Sequence, residues 1–360
     1  MQGLPRLRPT VNDIAREAGV SLATVDRVLN ARPGVRAPTI AAVTAAISKL
    51  GYVRDLAAAN LARSRNYAMA FVLPDSDSQF LTALAQALTD AAAFAAAART
   101  DIVLRRYPAE DPHALATLLT DLAPDVAGVA LLAPETPVIR DAIRSLARAG
   151  LPVVTLVSDL PATGRDHFVG IDNRAAGRTA GVLMGRFLGP GPGAVMVVGD
   201  TMLSRDSVER RHGFDEVMLR DFPAVQVLPT LESHGRADTL AQIVTATLDN
   251  RADVRGVYLL ASGQRALTAV LAERGLAGRI TYVAHELTDH ARAALMAGQM
   301  DAVITQNTGH LVRSALRVLR AKADHAPIDP GQEQIRIEIV IRENLAPLLA
   351  ASRQERSIRY

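Results

Sequence analysis

From Ala68 onward, short apolar runs alternate with longer stretches of helical periodicity, and no other feature restricts the fold as much. The runs are Ala68–Leu73, Ile102–Leu104, Val126–Leu132, Pro152–Val157 and Phe168–Ile171, then Ala194–Val198, Val225–Leu228, Gly256–Ala261, Ile280–Ala284, Ala302–Thr305 and Ile335–Ile341. Helical patterns such as Ser78–Ala98, Asn173–Leu188 and Thr308–Ala323 separate most of them. Continuous apolar runs suit strands buried on both faces, and the helices between them must cover those faces. The expected body is therefore α/β, built on parallel sheets. Eleven runs over about 280 residues fit two lobes better than one sheet. Apolar residues make up 49% of the chain but aromatics only 4%, so Ala, Val and Leu must fill the space between helix and sheet.

Residues before Asn66 differ in kind. Thr10 can cap a helix in which Val11, Ile14, Ala15 and Ala18 share a face, and Gly19 ends it in a tight turn. Ser21 can cap a second helix, Leu22–Leu29, that buries Val25, Val28 and Leu29. After the polar loop Asn30–Ala37, Pro38 opens a third helix with Ile40, Val43, Ile47 and Leu50 at helical spacing, closed by Gly51. Residues 1–66 carry ten Lys/Arg against four acids, whereas the remainder carries 30 against 33. A basic head on a mildly acidic body fits a head that meets phosphates. The second helix leaves Leu22, Ala23, Asp26 and Arg27 outward. In a helix-turn-helix those positions enter the major groove. Hydroxyls such as Ser21 and Thr24 bond phosphate, and an arginine such as Arg27 grips guanine O6 and N7. By geometry alone, a plain helical hairpin with a solvated face stays open as the alternative.

The stretch Thr10–Leu56 contains DIAREAGVS, then TV-x-RVLN, then a third helix ending LGY, at fixed spacing without a gap. It closely resembles the headpiece of the lac-repressor (LacI/GalR) family. The body is similar to the two-lobed, periplasmic-binding-protein-like (type I) sensor which that family carries next. The resemblance implies an all-α helix-turn-helix headpiece at 1–53, a hinge linker at 54–66, an effector-binding and dimerisation domain at 67–350, and a tail at 351–360. The expected lobes are about 67–166 plus 307–328, and about 167–304 plus 332–350. By the same resemblance, Thr10, Ser21, Thr24, Asn30, Arg36 and Thr39 hold the DNA backbone, and Leu22, Ala23 and Arg27 face bases. Leu61 falls where the family has a linker leucine that wedges into the minor groove and unstacks a step. Two departures stand out: Asp26, where a small polar residue is usual, and Arg54, where a proline is usual.

In doubly wound sheets ligands bind beyond the carboxyl ends of the strands. Those ends offer Asp75, Phe80, Asp159, Arg205, Arg210, Ser262, Glu286 and Gln306 as effector contacts. The resemblance implies an effector role for Arg210, places Glu286 where the family usually has an Asp, and sets Gln306 on the last crossing strand. Ser262-Gly263 replaces a common Asn-Asp pair. Carboxylates, an arginine, amides and one aromatic suit a polyhydroxylated ligand, so a sugar or polyol is the first expectation.

Signals for catalysis, cofactor or metal are poor. Cysteine is absent. The segment from His285-Glu286 to His290 puts its second histidine five residues on rather than four. The GPGPG of Gly189–Gly193 precedes an apolar run instead of following one, which makes it a turn rather than a phosphate loop. The expected partners are double-stranded, pseudo-palindromic operator DNA, a small effector and a second copy of the chain, as a homodimer. No run of ~18 apolar residues is free of charge, and no signal-peptide pattern follows Met1–Thr10, so a cytoplasmic location without a membrane is expected. A solute-binding receptor that does not act on DNA is the other function class.

Overall fold

The computed structural model describes residues 9–29, 33–52, 66–76 and 78–345, and the chain divides into two units, Met1–Arg65 and Asn66–Tyr360. In the first unit, helices α1 (Val11–Ala18), α2 (Leu22–Leu29) and α3 (Ala37–Leu50) close on a small core of Ile14, Val25, Val43 and Ala46. A capping box starts α1. Thr10 Oγ1 accepts the Asp13 N–H at 3.4 Å while Asp13 Oδ2 accepts the Thr10 N–H at 2.8 Å, satisfying amides that the helix leaves unpaired. Gly19, with φ 65°, turns the chain towards α2. The third helix starts at Ala37, one residue before Pro38, whose missing N–H is harmless in a first turn. Ile40, expected inside, is 43% exposed. The buried stripe runs instead through Val43, Ala46, Ile47 and Leu50, and Ile40 lies one turn ahead of it.

In the second unit, β1 (Tyr67–Asp75), β2 (Thr100–Pro108), β3 (Gly128–Leu131), β4 (Val153–Leu156) and β5 (His167–Val169) form a parallel sheet in the order β2-β1-β3-β4-β5. A second sheet contains β6 (Gly193–Gly199), β7 (Val225–Glu232), β8 (Val254–Leu259), β9 (Thr281–His285), β10 (Ala302–Thr305) and β11 (Glu338–Val340). Its order is β11-β10-β9-β8-β6-β7, parallel except for β11. Both sheets thus repeat one doubly wound order. Each reverses direction once, between β1 and β3 and between β6 and β8, and such reversal points open the crevice in which ligands bind.

The chain passes between the sheets three times. After β5 it leaves the first sheet, and the helix Asn173–Leu188 packs on β8, β9 and β10. After β10 it returns, and the helix Thr308–Ala323 packs on β1, β3, β4 and β5. It leaves again between the helix Pro330–Glu333 and β11. One expected boundary needs correction. Residues 167–169 belong to the first lobe, because they pair with β4 in the register Val154↔His167 to Leu156↔Val169. Asp166 helps to hold this edge strand by accepting the Val153 N–H at 2.9 Å.

The helix Gln79–Ala97 is long and apolar enough by composition to cross a membrane. Its place in the fold gives another reason for that composition. It connects the parallel neighbours β1 and β2 and buries Leu81, Leu84, Leu88 and Ala95. The helices Asn173–Leu188 and Arg205–Asp221 meet backbone to backbone. A β-carbon on Gly213 would lie 2.0 Å from the Arg174 carbonyl oxygen, and one on Gly177 would lie 1.9 Å from that of Arg210.

Candidate DNA interface and ligand crevice

In the first unit the outward face of α2 is open. Ser21, Leu22, Ala23 and Arg27 are exposed, Leu22 by 49%. Ser21 Oγ accepts the Thr24 N–H at 3.2 Å and lies 2.9 Å from Thr24 Oγ1, so the first turn is capped by a side chain that still faces solvent. Thr10 is exposed, with its hydroxyl donating to Asp13 at 2.7 Å. Arg36 is exposed at the N-cap of α3, and Thr39 is half-buried one turn in. Asp26 is half-buried on α2. Asn30, Leu61 and Arg54 lie outside the described residues.

In the second unit three of the expected effector contacts converge. Arg210 extends from the buried face of its helix, four residues before Phe214 and seven before Val217, and is only 2% exposed. Its Nε donates to Asn173 Oδ1 at 2.9 Å and its Nη1 to the Leu260 carbonyl at 2.7 Å. Its Nη2 stands 3.6 Å from Glu286 Oε1 and, among the described residues, makes no hydrogen bond. Gln306, 3% exposed, donates from Nε2 to the same Glu286 oxygen at 3.2 Å, and its own Oε1 has no partner among the described residues. One buried donor and one buried acceptor therefore flank a single carboxylate unfilled. Each such atom costs ~1–3 kcal/mol unless a ligand or water pairs with it.

The backbone around this group is strained. Glu286 follows β9 with φ 68°, and Val157 follows β4 in the other lobe with φ 63°. Left-handed conformations cost ~1–3 kcal/mol for such residues and cluster at binding sites. Contacts between the lobes lie nearby. Ser158 Oγ accepts the Asp206 N–H at 3.4 Å, and Arg205 donates to Glu209 at 2.8 Å and to Glu135 of the other lobe at 3.4 Å. Ser262 donates to Asp200 at 2.7 Å, spanning the ends of β8 and β6.

The remaining expected contacts stand apart. Asp75 is exposed at the end of β1, and Phe80 is half-buried against an apolar cluster that draws on both sheets. Asp159 does not fit the expected role. Its carboxylate is taken up by Arg165, by Thr155 Oγ1 at 3.0 Å and by the Leu160 N–H at 2.7 Å, which leaves little for a ligand. The two histidines are separated as well: His285 Nε2 pairs with Tyr258 OH at 2.8 Å, and His290 Nε2 with Thr268 at 3.1 Å. Glu135 and Asp200 escaped the sequence reading. Both are carboxylates shortly after a strand end, a signal that applies to every strand of an α/β fold and therefore needs the topology to weight it.

Burial pushes the Glu286 carboxyl up to about 7. Asp206 adds to the rise, while Arg210, Gln306 and Thr305 oppose it. A carboxyl that ionises later in the folded than in the unfolded chain makes stability fall as pH rises. The loss develops between about pH 4.5 and 7 and levels off above. Thermal melts across this window should show the decline, and Glu286→Gln should flatten it. An unchanged slope in that variant would assign the decline to other groups.

A family model described as bacterial regulatory proteins, lacI family, matches residues 10–55, and one described as periplasmic binding protein domain matches residues 69–327. Catabolite control protein A of Priestia megaterium is 30% identical over 167 residues, which is 46% of this chain and 48% of that protein. The HTH-type transcriptional regulator RegA of Clostridium saccharobutylicum is 40% identical over 81 residues, 22% of this chain and 24% of that protein. The matches thus span about half or less of the length of these relatives. Among solved structures, GanP, a glucose-galactose binding protein from Geobacillus stearothermophilus, superposes with a TM-score of 0.71 at 16% identity, covering 78% of this chain and 99% of that one. A solute-binding protein from Agrobacterium vitis, bound with alpha-D-tagatopyranose, gives 0.69 at 18% identity, with 78% and 96% covered. At such identities the likeness is one of fold.

Proposed function

Because the chain belongs to the lacI family of bacterial regulatory proteins and carries a periplasmic binding protein domain, we propose that it is a sequence-specific DNA-binding repressor of transcription, controlled by a sugar or polyol bound between the lobes. The observation that carries the sensor half is the unfilled pair, Arg210 Nη2 and Gln306 Oε1, on either side of Glu286. A hydroxyl donates and accepts at once, so adjacent hydroxyls satisfy the donor, the acceptor and the carboxylate together. Proteins of the same fold named for glucose and galactose, or solved with tagatose, support that ligand class.

On the DNA side, Leu22, Ala23 and Arg27 read base edges while Thr10, Ser21, Thr24, Arg36 and Thr39 hold phosphates, with Asn30 and Leu61 completing the set. One headpiece reads too few bases for useful specificity, so a homodimer binds a pseudo-palindromic operator, in the cytoplasm. Effector binding closes the lobes about the three crossing segments, shifts one protomer against its partner and changes whether the linkers at 54–66 fold on DNA. The effector moves that balance only by its difference in affinity for the two states.

A gel-shift titration on the DNA upstream of its own gene, at several salt concentrations and with and without monosaccharides, tests this. Specific binding that a sugar relieves supports it. Absence of DNA binding even at low salt, where phosphate contacts are strongest, would favour a solute-binding receptor. Arg27→Ala should cost ~1–3 kcal/mol at one operator position and relax specificity there. A uniform loss across all sequences in the same assay would remove Arg27 from the base-reading set.

A further inference from the structure

Arg210 shares its helix face with a second charged side chain. Asp206 stands four residues earlier, half-buried in the first turn, and gives its N–H to Ser158 of the opposite lobe at 3.4 Å. Among the described residues, its carboxylate has no hydrogen-bond or ion-pair partner. It lies close enough to Glu286 to help hold that carboxyl protonated. The cations around it are already matched. Arg210 stands 3.6 Å from Glu286, Arg205 pairs with Glu135 and Glu209, and Arg165 pairs with Asp159. Above about pH 7, where Glu286 is ionised and matches Arg210, Asp206 is therefore negative charge in excess, beside a group of water-poor partners where Coulomb repulsion is weakly screened.

The unfilled atoms point the same way. A phosphate or carboxylate offers acceptors only. It would satisfy Arg210 Nη2 but set lone pairs against Gln306 Oε1 and the ionised form of Glu286, the two groups that need a donor.

We propose that Asp206 sets the charge class of the effector: the crevice takes an uncharged polyhydroxylated compound and rejects the phosphorylated or carboxylated form of the same compound. This rests on the crevice being the effector site. It names a specificity residue that touches none of the groups binding Arg210.

The test is calorimetric titration of the full chain at about pH 8, where Glu286 is mostly ionised, with matched sets: D-glucose, D-glucose 6-phosphate and D-glucuronate; D-galactose, D-galactose 1-phosphate and D-galacturonate; D-ribose and D-ribose 5-phosphate. In at least one set the neutral sugar should bind at least about ten-fold more tightly than its anions, as like-charge juxtaposition demands. Asp206→Asn should leave the neutral sugar within about three-fold and reduce the penalty on the anions by about ten-fold or more. Asp206→Glu, which keeps the charge, should preserve the parental ratio. An anion binding as tightly as its neutral parent overturns the filter while leaving the effector site standing. So does an unchanged ratio in Asp206→Asn. Binding of no compound in any set, by a chain that still shifts operator DNA, overturns the sugar class itself and the filter with it.

Discussion

Arg210→Ala is expected to bind operator DNA like the parent chain and to lose its response to effector. The guanidinium ties together Asn173, the Leu260 carbonyl and Glu286, which come from three different elements. Removing one partner of a buried charge pair costs ~2–5 kcal/mol of binding, or roughly 30-fold to several thousand-fold in affinity. The sensor itself should lose up to ~3–5 kcal/mol of stability, because Glu286 is left buried without its cation. Proton uptake by Glu286, already pushed up to about 7, will soften that loss below neutral pH. Arg210→Lys keeps the charge without the planar fork and should recover stability better than effector affinity. Operator release by effector at unchanged concentration in Arg210→Ala would mean that the ligand sits elsewhere.

The second large effect is mechanical. Gly213→Ala adds a single methyl where the neighbouring helix leaves no room, 2.0 Å from the Arg174 oxygen and 2.9 Å from the Arg178 nitrogen. Neither is a side chain that can swing away, so the two helices must separate. Overpacking costs ~1–3 kcal/mol in a typical core and more where only backbone can yield. We expect a loss of about 3 kcal/mol or more, a drop of roughly 5 °C or more in melting temperature for a unit as large as Asn66–Tyr360. Phe214, Val217 and Met218 lie on the same face and would lose contact together with Arg210. Effector binding should therefore weaken alongside stability. A melting temperature within a degree or two of the parent would show that the helix pair can relax cheaply.

The two effects differ in how far they can be read from the chain. Gly213 is the one glycine of the helix Arg205–Asp221, and nothing in its sequence neighbours says why a glycine is needed there. Its meaning comes from the backbone of Arg174, 39 positions away in sequence and in contact only through packing. Asp159 shows the opposite error. Its place after a strand resembles that of Glu286, yet Arg165, six residues on, claims it. A short turn decided that outcome, and no periodicity signals it.

Local periodicity and capping chemistry settled the element types. Thr10, Gly19 and Gly51 mark the ends of the head's helices because caps act within a few residues of themselves. Apolar runs marked the strands because a strand covered on both faces must be apolar throughout. Two lobes, parallel sheets and an outward face on α2 followed from those patterns. Strand order, the membership of His167–Val169 in the first sheet, and the meeting of Arg210, Glu286 and Gln306 did not. These depend on pairings between residues as far apart as Arg210 and Glu286, which obey the geometry of the doubly wound sheets rather than any nearby sequence signal. Only the folded crevice shows which polar atoms remain unfilled.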